Sequence, residues 1–314
     1  MQSLANYSDN DQELYIDFNV QQAQHELVVS TGTVASTPDK PNEDAHCVLE
    51  SDGILIAGIF DGATSLRPIL KLKNQSGARF ASHFLKDTLR SIDNCQPLTD
   101  VMIELNERLL TANSMLGGLL SDVHSLPAST ATLITISKNV LSFAHVGDTF
   151  GVVYFKDGSS NVFTSDTNEK FDKRVLTLLK TISDNKKISP RDARNDALLK
   201  EALFETARDK NNNPNGRGSG IVNGDPNITK YIQAGTIDLA AVDTILLGTD
   251  GMIPPGWSIQ RKHDRDKLRE LIEKNGITGL FTVKHEIEDN DPNWHKLRFK
   301  HSDDATVVFI NIVR

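Results

Sequence analysis

The chain has 314 residues, of which 38% are hydrophobic and 24% charged, and its formal net charge is −8 at pH 7. This composition fits a globular protein with a sizeable core and excludes a disordered chain. The negative charge argues against nucleic acid or an anionic membrane as the main partner. The apolar runs are shorter than a membrane span, and the first residues lack the regions of a signal peptide. Because only Cys47 and Cys95 occur, we expect a reduced cytoplasmic protein rather than a disulfide framework. We also expect a monomer.

The first part of the chain predicts an arm, a group of strands and two helices. Residues 1–25 are polar and irregular, which predicts a flexible N-terminal arm. Short apolar runs between turn residues then predict strands, and Ser51-Asp52-Gly53 predicts a hairpin connection. Apolar residues at helical spacing follow and predict two long helices. The predicted strands are Leu27–Val34, Ala45–Leu49 and Ile54–Phe60, and the helical positions run from Ala78 to Leu89 and from Leu98 to Leu109.

The second part predicts strands, a charged helical region and strands again. Residues 168–208 are charged and have helical spacing, whereas Asp209–Gly224 is rich in Asn and Gly and predicts a loop. A helical region over 263–288 precedes the last strand. This order favours an α+β fold over a βαβ parallel sheet, and we expect one domain over 26–314. The predicted strands are Ala131–Ser137, Val140–Val146, Gly151–Phe155, Asn161–Thr164, Ile228–Gln233, Thr244–Gly248 and Ala305–Val313.

Aspartates stand where several predicted strands end or begin, notably Asp61, Asp250 and Asp303. If they converge, their carboxylates repel one another unless protons or cations neutralise them. Oxygen ligands without His or Cys select Mg²⁺ or Mn²⁺, and two such ions roughly 4 Å apart make a site that cleaves phosphoesters. Aspartate is also an ordinary turn former, so the spacing alone leaves both interpretations open.

Six short motifs, in order, resemble those of the metal-dependent protein serine/threonine phosphatases of type 2C. They run from about residue 27 to residue 312, nearly the whole chain. The resemblance implies a four-layer α-β-β-α sandwich with two central, mainly antiparallel sheets and the metals at one edge. The matching motifs are Asn42-Glu43-Asp44, Phe60-Asp61-Gly62, Ser129-Thr130-Ala131-Thr132, Val146-Gly147-Asp148-Thr149, Thr249-Asp250-Gly251 and Asp303-Asp304-Ala305-Thr306-Val307.

The resemblance also implies a set of site residues and two Mg²⁺ or Mn²⁺ ions. Asp61 would bridge the ions, and Asp61 and Asp250 would be the principal catalytic residues. The metal ligands implied are Asp44, Asp61, the Gly62 carbonyl, Asp250 and Asp303, and Glu43 and Asp148 would make weaker or water-mediated contacts.

The sequence departs from the family pattern at three places. Where relatives commonly place a phosphate-gripping arginine stands Asp39, and the adjacent Lys40 is the predicted substitute, a point charge instead of a bidentate fork. Many relatives continue Asp-Gly with a histidine that can act as general acid, but this chain has Ala63-Thr64-Ser65. Pro254 occupies the place of an aspartate that holds a third metal in some relatives.

We therefore expect a phosphatase of phosphoserine and phosphothreonine in proteins, with substrate choice carried by a variable flap at about 166–226. Two alternatives stay open: a catalytically weak relative that acts as a phosphoprotein-binding or regulatory module, and a phosphatase of a small phosphomonoester. Phe60-Asp61 also resembles the nucleophile of haloacid-dehalogenase-like phosphatases, but Ala63 stands where that family requires a second aspartate.

Overall fold

A computed structural model describes residues 13–21, 26–63, 69–73, 75–92 and 96–313. Within these ranges the chain forms two β-sheets with helices on their outer faces. The strands are β1 (Glu13–Gln21), β2 (Glu26–Val34), β3 (Ala45–Ser51), β4 (Ile54–Ala63), β5 (Ala128–Ser137), β6 (Val140–Val146), β7 (Phe150–Phe155), β8 (Ser160–Val162), β9 (Gln233–Asp238), β10 (Val242–Gly248) and β11 (Ala305–Val313). The helices are α1 (Gly77–Leu89), α2 (Leu98–Leu116), α3 (Glu169–Lys186), α4 (Pro190–Ala193), α5 (Ala197–Lys210) and α6 (Lys262–Asp289), and the 3₁₀ turns are Leu70–Leu72, Val123–Ser125, Pro226–Lys230, Leu239–Ala241 and Asp250–Met252.

Every strand pair in the described residues is antiparallel, which confirms the predicted α+β sandwich. The first sheet has the order β1-β2-β11-β10-β7-β8, and the second has the order β3-β4-β5-β6-β9. The predicted hairpin joins β3 and β4, and Asp52 and Gly53 both have positive φ, as a tight two-residue turn requires.

Three hydrophobic clusters separate the four layers. The central cluster fills the space between the sheets, with side chains such as Leu55 and Ile245 fully buried. A second cluster packs α1 and α2 on the β3–β9 sheet, and a third packs α6 on the other sheet. Burial of this kind stabilises a fold by roughly 25 cal/mol per Å² of apolar surface. The sandwich therefore holds the strand ends in fixed relative positions.

The helical spacing read from the sequence is confirmed by burial. Ala78, Ala81, Leu85 and Leu89 of α1 all face the β3–β9 sheet. The helix begins after Ser76, whose hydroxyl accepts a hydrogen bond from the Arg79 amide at 3.1 Å, an N-cap interaction. None of the helices in the described ranges combines the length and the hydropathy that crossing a bilayer requires.

The predicted flexible arm is wrong for residues 13–21. This segment is β1, an edge strand that pairs with β2 along its whole length. Its side chains at 16, 18 and 20 are more buried than those at 15, 17 and 19, the period of two that a half-buried strand has. The rest of the predicted arm lies outside the described residues.

The strand predicted over Ile228–Gln233 is also wrong, because the chain there forms the 3₁₀ turn Pro226–Lys230. Asp225 caps this turn by accepting a hydrogen bond from the Asn227 amide at 2.8 Å. Ile228 is fully buried under α2 in the helix-side cluster, so its apolar side chain belongs to a packed turn. The fifth strand of the sheet, β9, begins only at Gln233.

Candidate metal centre

Five aspartates lie at one end of the sandwich, where strands of both sheets end or begin. Asp61 lies near the end of β4, Asp148 between β6 and β7, and Asp250 just after β10, while Asp44 and Asp303 precede β3 and β11. A cleft of about 850 Å³ opens there and is lined by all of them except Asp44, which is 3% exposed. The fold thus brings together carboxylates that are up to 259 positions apart in the chain (303 − 44).

Strand register explains part of this convergence. Asp61 pairs with Thr130 of β5, and the Thr130 hydroxyl donates to one carboxylate oxygen of Asp148 at 2.8 Å. The side-chain amide of Asn168, at the start of α3, donates to the other carboxylate oxygen of Asp148. Asp148 is therefore oriented from two sides, and its charge lies beside β4.

Burial and mutual repulsion raise the pKa of four carboxyls of this group, those of Asp44, Asp61, Asp250 and Asp303. For Asp61 the largest cause is desolvation, followed by repulsion from Asp44, Asp250 and Asp148. Desolvation is also the largest cause of the raised pKa of Asp44, and of Asp250, although the Asp250 side chain is exposed to the cleft. Asp303 has a raised pKa for the same reason, even though Lys300 opposes the shift. Asp61 is repelled by all the other four, so it lies at the electrostatic centre of the group.

A buried hydrogen-bond network connects the two sheets beneath the cleft. The Thr249 hydroxyl donates to Asp44 at 2.7 Å and accepts from the Thr306 amide at 3.0 Å. The Thr306 and Thr33 hydroxyls are 2.7 Å apart, and the Asn42 amide donates to Thr33 at 2.7 Å. This agrees with the sheet-packing role that is typical of threonines on strands. The network fixes Asp44 relative to β10 and β11.

Asp304 has a structural role that the sequence did not reveal. Its two carboxylate oxygens accept hydrogen bonds from the backbone amides of Ser36 at 2.5 Å and Glu43 at 2.7 Å. The side chain is 7% exposed, so both bonds are shielded from water. Asp304 thereby holds the 36–44 loop, and with it Glu43 and Asp44, against the start of β11.

Two glycines allow the backbone to pack closely around the cleft. A Cβ atom at Gly62 would lie 2.5 Å from the Glu43 carbonyl oxygen and 2.7 Å from the Ala78 carbonyl oxygen. A Cβ atom at Gly251 would overlap the Asp304 carbonyl oxygen. Because these obstacles are backbone atoms, a side chain at either position would displace a loop that carries a carboxylate.

The chemistry of this donor set fits hard divalent cations. Every candidate donor is a carboxylate or carbonyl oxygen, which suits Mg²⁺ or Mn²⁺, and a cation would relieve the repulsion that raises the pKa of these carboxyls. Among the residues that the structure describes, no three His, Cys, Asp or Glu side chains already surround a single point as metal ligands. Asp303 is instead paired with Lys300, and Asp44 with Thr249. An ion bound by Asp303 would therefore compete with Lys300 for this carboxylate.

Comparison with known proteins agrees with this arrangement. Residues 31–283 match the family model described as Protein phosphatase 2C. The chain belongs to the protein phosphatase 2C family. The matched range includes Asp44, Asp61, Asp148 and Asp250, and Asp303 lies beyond it. No curated protein sequence matches the chain.

Solved structures show that the fold is that of this family. Serine/threonine phosphatase Stp1 from Staphylococcus aureus is 16% identical, with a TM-score of 0.54 over 95% of this chain and 100% of that one. The catalytic domain of the serine/threonine phosphatase PstP in complex with two manganese ions is 17% identical, with a TM-score of 0.50 over 92% and 99%. RsbX in complex with magnesium is 12% identical, with a TM-score of 0.50 over 95% and 100%.

The remaining positions predicted from the 2C pattern also lie at the cleft. Glu43, Gly62, Asp148 and Lys40 line it, and Lys40 lies exposed on its rim. Of the Ala63-Thr64-Ser65 segment, Ala63 lines the cleft and the other two residues lie outside the described ranges.

Sequence reasoning missed several cleft residues that come from the helical segment after β8 and from the segment before β11. Asp172 of α3 forms an ion pair of 2.6 Å with Lys210 of α5, and both line the cleft. Arg194 and Lys300 line it as well. No local pattern marks these residues, because their place in the cleft follows from how α3 to α5 and the 290–303 segment fold over the strand ends.

Proposed function

We propose that this chain hydrolyses phosphoserine and phosphothreonine esters in proteins with the aid of two Mg²⁺ or Mn²⁺ ions. The observation that carries the proposal is the convergence of Asp61, Asp250 and Asp303 from both sheets on one cleft, with the buried carboxylate of Asp44 close to that of Asp61. Four clustered carboxylates are costly unless cations neutralise them, so their joint presence favours a metal site over a structural role. Membership of the 2C family supports the phosphoprotein substrate.

Asp61 would contact both ions, because it lies close enough to the other four carboxylates for each of them to raise its pKa. Asp250, Asp303, Asp44 and the carbonyl of Gly62 would complete the ligand set, with Glu43 and Asp148 nearby. The manganese ions in PstP and the magnesium in RsbX support the choice of metal. When bound, two such ions activate a water nucleophile and neutralise charge on the phosphoryl group.

The chain's own groups hold this machinery in place. Thr249 fixes the orientation of Asp44, Asp304 fixes the loop that carries Glu43, and Thr130 orients Asp148. The position where many relatives have a histidine is Ala63, which has no proton to give. Loss of a general acid lowers a rate by roughly 10²-fold, and less for a leaving group that needs no proton. An activated ester such as p-nitrophenyl phosphate is therefore the more sensitive first substrate.

Segments outside the two sheets contribute much of the lining of the cleft. Residues from α3, α5, the 211–223 loop and the turn Val123–Ser125 all line it. We propose that 166–226 is a flap that selects the substrate, within one catalytic domain over 26–314. Because two cysteines are too few for a disulfide framework, we further propose that the protein acts in the cytoplasm. We also propose that it is a monomer.

The test is hydrolysis of a phosphothreonine peptide, p-nitrophenyl phosphate and a small sugar phosphate, each with Mn²⁺, with Mg²⁺ and with EDTA. We expect metal-dependent turnover of the peptide and of p-nitrophenyl phosphate, with little turnover of the sugar phosphate. Turnover of the sugar phosphate alone would indicate that the substrate is a small phosphomonoester and not a protein. Binding of phosphopeptide without hydrolysis of any of the three would contradict an enzymatic role and favour a phosphoprotein-binding module.

A further inference from the structure

We propose that the ammonium group of Lys300 binds the phosphate group of the substrate. Lys300 lies between α6 and β11 and lines the cleft, and 52% of its side chain is exposed to solvent there. Its ammonium group forms an ion pair with Asp303. The inference rests on the proposed function, because it assigns a phosphate-binding residue to that same site.

The charge of Lys300 faces the carboxylates that we propose as metal ligands. Partial burial lowers its pKa, but the attraction of Asp303, with additions from Asp61 and Asp250, outweighs this and the net pKa is raised. Lys300 lines the same cleft as Asp61, Asp250 and Asp303. A substrate phosphate must approach these same carboxylates through their metals, so it must also approach this ammonium group.

The ion pair with Asp303 can be exchanged for one with phosphate. A divalent cation at Asp303 competes with Lys300 for the same negative charge, since a carboxylate next to a metal attracts a second cation less. A phosphate dianion then offers the ammonium group a charge-assisted hydrogen bond in the same region. The four-carbon stem of lysine lets the charge move without a change in the backbone.

Three other cations of the described residues line the cleft, and each has a different environment. Lys210 forms an ion pair with Asp172 at 2.6 Å, on the flap side. The Arg194 guanidinium donates to the Phe299 carbonyl at 3.0 Å. Lys40, the cation predicted from the sequence, lies exposed on the rim. Of the four, Lys300 is the one that forms an ion pair with a carboxylate that we propose as a metal ligand.

The experiment is calorimetric titration of the Mn²⁺-loaded protein with inorganic phosphate. For Lys300→Met we expect the dissociation constant for phosphate to rise roughly tenfold or more, because one charged hydrogen bond is lost. Its affinity for Mn²⁺, measured separately, should be equal or higher, because the competing cation has gone. Lys300→Arg should keep most of the phosphate affinity, and Lys40→Met should change it less than Lys300→Met does.

Kinetics give a second readout. With the phosphothreonine peptide, Lys300→Met should raise KM and the inhibition constant for phosphate more than it lowers kcat. An unchanged phosphate affinity in Lys300→Met, or no phosphate binding by the wild-type protein, would overturn the proposal. A parallel loss of Mn²⁺ affinity would also overturn it, because the effect would then act through the metals.

The two proposals fail in different ways. If phosphate binding depends on Lys300 but no phosphopeptide is hydrolysed, the phosphate site is supported and the phosphatase activity is refuted. If phosphopeptide is hydrolysed and Lys300→Met changes neither phosphate affinity nor KM, the phosphatase activity is supported and the role of Lys300 is refuted.

Discussion

Replacement of Asp61 by asparagine is expected to lower Mn²⁺-dependent turnover of p-nitrophenyl phosphate by roughly 10³-fold or more. Metal ions stabilise phosphoryl-transfer transition states by several kcal/mol, and each 1.4 kcal/mol corresponds to about a factor of ten in rate. Asp61 lies at the electrostatic centre of the carboxylates, so its loss should weaken the binding of both Mn²⁺ ions. The substitution keeps the size of the side chain and removes one negative charge. It should therefore reduce activity without unfolding the protein.

The matched control is Asp87→Asn on α1. The Asp87 side chain is 65% exposed and pairs with Arg90 on the surface of the helix, and it does not line the cleft. The Asp87→Asn substitution also removes one negative charge, and it should leave both turnover and Mn²⁺ affinity unchanged. Asp250→Asn, by contrast, should resemble Asp61→Asn. Near-normal turnover in Asp61→Asn, with Mn²⁺ still required, would show that this carboxylate does not hold the catalytic ions.

Manganese is expected to raise the thermal midpoint of the protein more at pH 8 than at pH 5.5. The pKa values of Asp44, Asp61, Asp250 and Asp303 are raised in the folded protein above their usual value of 3.8. For such a group the folded state binds more protons than the unfolded state above pH 3.8, so its contribution to stability falls as the pH rises through its folded pKa. At pH 8 the protein without metal therefore carries more of the repulsion within this cluster than it does at pH 5.5.

Mn²⁺ stabilises the folded protein more as the pH rises, because it binds the deprotonated carboxylates. At a Mn²⁺ concentration of about 100 times the dissociation constant, the gain is roughly 2.7 kcal/mol, which corresponds to a rise of about 4 °C in a chain of this size. Thermal unfolding with Mn²⁺ and with EDTA at both pH values measures the difference, with Asp61→Asn as the variant that should lose most of it. A rise that is equal at both pH values, or greater at pH 5.5, would mean that these carboxyls are not the ligands.

The parts of the fold that follow local rules could be predicted from the sequence. The periodicity of Ala78 to Leu89 and the turn at Asp52-Gly53 depend on neighbours in the chain, and both are confirmed. Family motifs added the order of the layers. Strand β1 is absent from the prediction because its alternating apolar residues lie between polar residues, which favoured an arm over the whole of 1–25. The prediction places Ile228 in a strand because an apolar residue in a packed turn resembles one in a strand.

In the candidate site, too, residues with a local sequence signal could be predicted and residues placed only by the fold could not. Each aspartate next to a glycine or at a strand end is a local signal, so Asp61 and Asp250 could be found from the sequence. The role of Asp304 could not, because its partners Ser36 and Glu43 lie more than 260 positions away. Lys300 was missed for a related reason: a lysine has no motif, and only the folded chain places its charge beside Asp303.

The most direct test of a two-metal centre is anomalous X-ray diffraction from crystals grown with Mn²⁺. We expect two manganese peaks in the cleft, roughly 4 Å apart, with the Asp61 carboxylate between them. We also expect that Asp250 and Asp303 contact the ions and that Lys300 no longer pairs with Asp303. A cleft without manganese peaks, or a single ion held away from Asp61 with the Lys300–Asp303 ion pair intact, would contradict a two-metal centre.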